Sequence, residues 1–95
     1  MALARVVTFE GVGKERVEEM QRNMRESDPP EGLKPTEVVI LHDPAAERAL
    51  ALVFFDNEDD YRQGDAILSA MPADDTPGTR TAVAKYDVAI RMSPS

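Results

Sequence analysis

Seven consecutive apolar residues, Ala49–Phe55, form the longest such run in the chain. A membrane helix needs roughly 20, so the run reads as a strand, Arg48–Phe55. Successive strand side chains point to opposite faces. Leu50, Leu52 and Phe54 therefore oppose Ala49, Ala51, Val53 and Phe55. Thr36–His42 reads the same way, with Val38 and Ile40 set against Val39 and Leu41. A strand that is wet on one side alternates apolar with polar residues. These two do not, so the sheet that holds them must be covered on both faces.

The rest of the chain supplies cover for only one of those faces. Ninety-five residues give room for a single domain, residues 1–95. Ala2–Phe9 is rich in β-branched and apolar residues and stops at the turn-like Glu10-Gly11-Val12-Gly13. Val17, Met20 and Met24 then recur at i, i+3 and i+7, one narrow stripe of a helix that Asp28-Pro29-Pro30-Glu31-Gly32 ends. Asp43-Pro44-Ala45-Ala46-Glu47 has the chemistry of a hairpin turn. Asn57 is placed to cap a second helix, with Glu58, Asp59 and Asp60 in its first turn. Tyr61, Gly64, Leu68 and Met71 make that helix's stripe, and Pro72 closes it. After Thr76-Pro77-Gly78, a final strand runs over Arg80–Met92.

The order β-α-β-β-α-β, with two right-handed crossovers around a hairpin, predicts an α+β, ferredoxin-like fold. Its sheet has four antiparallel strands and both helices on one face. Four strands at ~4.8 Å spacing and about 20 Å length leave roughly 400 Å² on the other face. An apolar patch of that size marks an interface. A second copy of the chain is the economical cover, which predicts a homodimer through the sheet faces.

Composition serves mainly to exclude. Eleven Lys and Arg against eighteen Asp and Glu give a net charge of −7, unfavourable for nonspecific nucleic-acid binding and for anionic lipid. With no cysteine there is neither a disulfide framework nor a thiolate nucleophile. Met1–Arg5 lacks the basic start of a secretion signal, so a cytoplasmic location is expected. Asp56-Asn57-Glu58-Asp59-Asp60 fails as a calcium loop, with Tyr61 at its sixth position and Ile67 at its twelfth. Gly11-Val12-Gly13-Lys14 fails as a phosphate loop, lacking a glycine at Thr8 and a Ser or Thr at Glu15. Neither a metal nor a cofactor is expected.

The succession Val6-Val7-Thr8-Phe9, Gly-containing turn, charged helix, hairpin, acid-capped helix and late Tyr-containing strand resembles the dimeric α/β-barrel superfamily. That superfamily includes antibiotic-biosynthesis-monooxygenase-like and stress-responsive barrel domains. The resemblance spans almost the whole chain and rests on architecture, not on a diagnostic motif. It implies two sheets packed face to face and a ligand cleft between the helices and sheet of each subunit. Heme chemistry of the type found in one branch is not implied, because the chain has no Trp and its one His lies in the hairpin.

Candidate residues follow, each with a plainer reading beside it. His42 is a potential general base, or a turn histidine beside Asp43. Tyr86 and Tyr61 combine an apolar ring with one polar handle, suited to orienting an aromatic ligand, or they are packing residues. Arg5, Lys85, Asp87 and Arg91 alternate on the first and last strands, as in a cross-strand ion-pair ladder; Arg5 is also a candidate anchor for a substrate anion. Met24 and Leu68 would line the cleft, and Gly64 would thin its wall. Two functions stay open. One is a cofactor-free, monooxygenase-like enzyme or binder of a small apolar or aromatic molecule, with His42 or a tyrosine such as Tyr86 assisting. The other is a non-catalytic dimeric stress-related or accessory module. A cleft lined by convergent polar groups would favour the first, and one filled by Met20, Met24, Leu68 and Met71 the second.

Overall fold

The computed structural model describes residues 2–26, 32–70 and 78–92. Its elements are β1 (Leu3–Glu10), α1 (Lys14–Glu26), β2 (Glu37–Asp43), β3 (Arg48–Phe55), α2 (Glu58–Ser69) and β4 (Thr79–Asp87). They form one antiparallel sheet in the order β2-β3-β1-β4, the expected ferredoxin-like α+β arrangement. The expected helix ends at Asp28–Glu31 and Met71–Pro77 lie outside the described residues.

Register decides which side of each apolar strand meets the helices. Leu3, Arg5, Val7 and Phe9 of β1 stand opposite Phe55, Val53, Ala51 and Ala49 of β3. This parity carries the core. Leu3, Val53 and Phe55 pack with Tyr61 of α2, and Leu33 and Leu68 close around them. Val7, Phe9 and Ala49 pack with Val12 and with Val17 of α1. Val38, Ile40 and His42 share this face, paired with Val53, Ala51 and Ala49. Both helices therefore lie on one side, and the other parity forms an open face.

The two helices dock very differently. α1 offers three apolar residues in thirteen, and none of its residues is buried. Val17, near its start, reaches the core, whereas Met24 is 53% exposed. Met24, which the sequence reading set in the helix–sheet cleft, is thus more than half open to solvent. A stripe this narrow can hold down one end of a helix but not its whole length. α2 buries Tyr61 and Gly64 and starts on a well-formed cap. The Asn57 side-chain oxygen accepts from the Asp60 backbone N–H at 2.8 Å, and the Asn57 backbone is extended. Asn57→Ala is expected to cost about 1 kcal/mol, read as a shift of the urea midpoint with an unchanged slope.

β4 is shorter than the Arg80–Met92 strand read from sequence, ending at Asp87 opposite Leu3. One further backbone bond, Val88 N–H to the Ala2 carbonyl at 3.0 Å, follows. β1 begins at Leu3, so beyond that point β4 has no strand to pair with. At its other end β4 bulges, since Thr8 faces Ala82 but Phe9 faces Arg80. The displaced Thr81 donates its hydroxyl to the Thr8 carbonyl.

Candidate functional site

Arg5 sits in the middle of an otherwise apolar strand face, directly opposite Lys85 on β4. Like charges at paired positions repel, so the fold has to bring in acids. α2 does this with one face. Glu58, Tyr61 and Asp65 fall at i, i+3 and i+7, which aligns them along the helix. Asp65 accepts from the Arg5 guanidinium Nε at 2.8 Å. Glu58 accepts from the Lys85 ammonium at 2.6 and 2.8 Å. Ser69, one turn past Asp65, accepts from a second guanidinium nitrogen at 3.3 Å. Between the two pairs lies the Tyr61 ring, with the Lys85 ammonium 5.0 Å from its centroid and the Phe55 ring meeting it edge-on at 5.7 Å. The expected cross-strand ladder of Arg5, Lys85, Asp87 and Arg91 gives way to pairs with other elements, Lys85 with Glu58 on α2 among them. Arg5 pairs with α2, and Arg91 pairs with Glu37 on β2.

Electrostatics follow from these contacts. The hydrogen bond from Lys85 holds the Glu58 carboxyl below the usual carboxylate range. Burial pushes the Tyr61 phenol above its ordinary value, with the Asp65 charge adding to the effect. The cluster contains two cations and two anions in direct contact. Among the described residues no buried side-chain nitrogen or oxygen lacks a partner. Its chemistry is that of a closed polar lock between helix and sheet.

Gly64 and Leu68 lie beside this lock. A Cβ at Gly64 would stand 2.4 Å from Phe55 Cζ and 3.1 Å from Leu33 Cδ1. The glycine admits the Phe55 ring and leaves no wall for a guest at that point. Leu68 packs on the same cluster. Tyr61, Gly64 and Leu68 thus gather around the Phe55 ring, and Arg5 is bound beside them to Asp65.

His42 and Tyr86 are held apart. His42 lies at the hairpin end of the helix face, where its Nε2–H donates to the Val12 carbonyl at 2.9 Å. The Val12 N–H donates in turn to the Glu47 carbonyl at 2.7 Å, and Arg48 pairs with Glu10 at 2.9 Å. Together these bonds fasten the β1–α1 turn to the hairpin, where Glu47 takes a left-handed φ of 52°. Tyr86 pairs with Ala4 on the open face and is 57% exposed. The register separates the two by five residues along the strands, about 17 Å, and by the thickness of the sheet. A shallow cavity of about 240 Å³ opens at the hairpin end, lined by Leu41, His42, Asp43, Arg48 and Leu50.

Asp65 and Ser69 are the site residues that sequence reasoning missed. The i, i+3, i+7 spacing of Glu58, Tyr61 and Asp65 was the available signal. Among the described residues no group of three His, Asp or Glu is placed to hold a metal ion, and no helix is long and apolar enough to cross a membrane. Comparisons with protein-family models, with curated proteins and with solved structures find no match.

Proposed function

We propose that this chain is a non-catalytic dimeric module of the dimeric α/β-barrel type, which acts by assembling through its open sheet face. One observation carries the reading. Val39, Leu52, Val6 and Ala84 form an apolar row across all four strands, and Leu41 and Leu50 extend it in the next row. Charged residues keep to the margin, with Glu10, Arg48 and Asp43 along one end and Glu37 at the other. An apolar centre with a polar rim is the anatomy of a protein interface. The catalytic alternative is cofactor-free oxidation, or binding of a small apolar or aromatic molecule, in the helix–sheet cleft. It draws less support, because His42 and Tyr86 lie on opposite faces and Phe55 occupies the space beside Gly64.

Sedimentation equilibrium at micromolar concentration tests the reading. The expected species has twice the 10.5 kDa chain mass. Leu52→Asp, which sets a charge in the central row, is expected to give a monomer. A wild-type chain that stays monomeric would overturn the proposal.

A further inference from the structure

The five described residues after β4, 88–92, leave the sheet edge and cross the open face. Val88 is tied to Ala2 beside β1. Three residues on, the Arg91 guanidinium stacks 4.8 Å from the centroid of Phe54 on β3 and pairs with Glu37 on β2. Ala4, which stands between Phe54 and Tyr86 in the sheet, is buried although its parity belongs to the open face. The segment thus has an inner side and an outer side. Arg91 faces its own sheet, while the residues flanking it, Ile90 and Met92, are 81% and 77% exposed. They are the two most exposed large apolar residues among those described, on a segment pinned in place by its neighbours.

Resting on the sheet-face reading above, we infer that residues 88–92 form a docking arm whose Ile90 and Met92 bury against a second copy of the chain. Area supports that occupant. With Arg91 already seated on Phe54, what stays bare of a face of roughly 400 Å² falls well short of the ~800 Å² per partner that a stable interface buries. In a two-fold dimer each copy gives an arm and receives one. Two apolar side chains of about 100 Å² each, counted as given and as received, supply most of the difference. The ion pair with Glu37 and the stacking on Phe54 fix the arm before the partner arrives, which lowers the ordering cost of binding. Arg91 also neutralises an acid at the rim of a chain whose net charge is −7, where two copies would otherwise repel.

The test uses the full chain and sedimentation equilibrium. The double variant Ile90→Asp/Met92→Asp is expected to keep the circular dichroism of the parent and to raise the dimer dissociation constant by about 100-fold. Arg91→Ala, which keeps both apolar residues but releases the arm, is expected to raise it by about 10-fold. If the double variant dimerises within threefold of the parent while Leu52→Asp is monomeric, the arm is not part of the interface and the sheet-face reading stands. If the parent itself is monomeric, both fall together.

Discussion

Gly64→Ala is expected to lower the melting temperature by about 10 °C, even though alanine is the better helix former by about 1 kcal/mol. The added methyl would sit 2.4 and 2.6 Å from two carbons of the Phe55 ring. Phe55 is fully buried, packed by Leu3, Val53 and Tyr61, so the ring has nowhere to turn. Either α2 lifts from the sheet or the ring leaves its rotamer, and overpacking of this kind costs about 1–3 kcal/mol. Lifting α2 would also stretch the Asp65–Arg5 and Glu58–Lys85 contacts, which puts the net loss toward the upper end. Thermal unfolding followed by circular dichroism reads the effect. A smaller residue at position 55 supplies the control. In a Phe55→Leu background the same change is expected to cost much less, because the carbons it meets are gone. A Gly64→Ala protein as stable as the parent would mean that the space at Gly64 is open, and would restore a cleft there as a place for a ligand.

The order of elements and the N-cap at Asn57 were both legible, because each depends on residues close together in sequence. Parity was not. Val38 and Ile40 are as apolar as Val39 and Leu41, so hydrophobic pattern cannot say which pair meets the helices. The pairing of Val38 with Val53 and Val39 with Leu52 decides it. The last strand was read too long for a related reason. Val88, Ile90 and Met92 continue the period-2 alternation, yet a strand lasts only as long as its neighbour, and β1 begins only at Leu3, opposite Asp87. Of the site, Tyr61, Gly64 and Leu68 were visible as a helical stripe. The partner of Arg5 was not, since Asp65 lies 60 residues away. The role of His42 left no trace either, because its acceptor is the backbone carbonyl of Val12.

The lock at Arg5 should be asymmetric when its partners are removed one at a time. The Arg5 side chain is 4% exposed and that of Asp65 is 44%, so water can replace what Asp65 loses but not what Arg5 loses. Asp65→Ala leaves a buried guanidinium held by Ser69, with the Lys85 ammonium on the paired position. Losing one partner of a fully buried pair costs about 3–5 kcal/mol. Solvent reaching the Asp65 side lowers the expected loss here to about 2–3 kcal/mol. Arg5→Met keeps the volume, removes the repulsion with Lys85 and leaves behind only a carboxylate that water can hydrate. It is expected to be within about 1 kcal/mol of the parent, of either sign. Urea unfolding compares the two, with equal slopes required for the midpoints to be read as stability. If Arg5→Met is the more damaging change, the guanidinium does more than satisfy its own burial, and Arg5 returns as an anchor for an anion. If Asp65→Ala is worse, as the exposures imply, the four charges exist to let one strand carry Arg5 beneath α2.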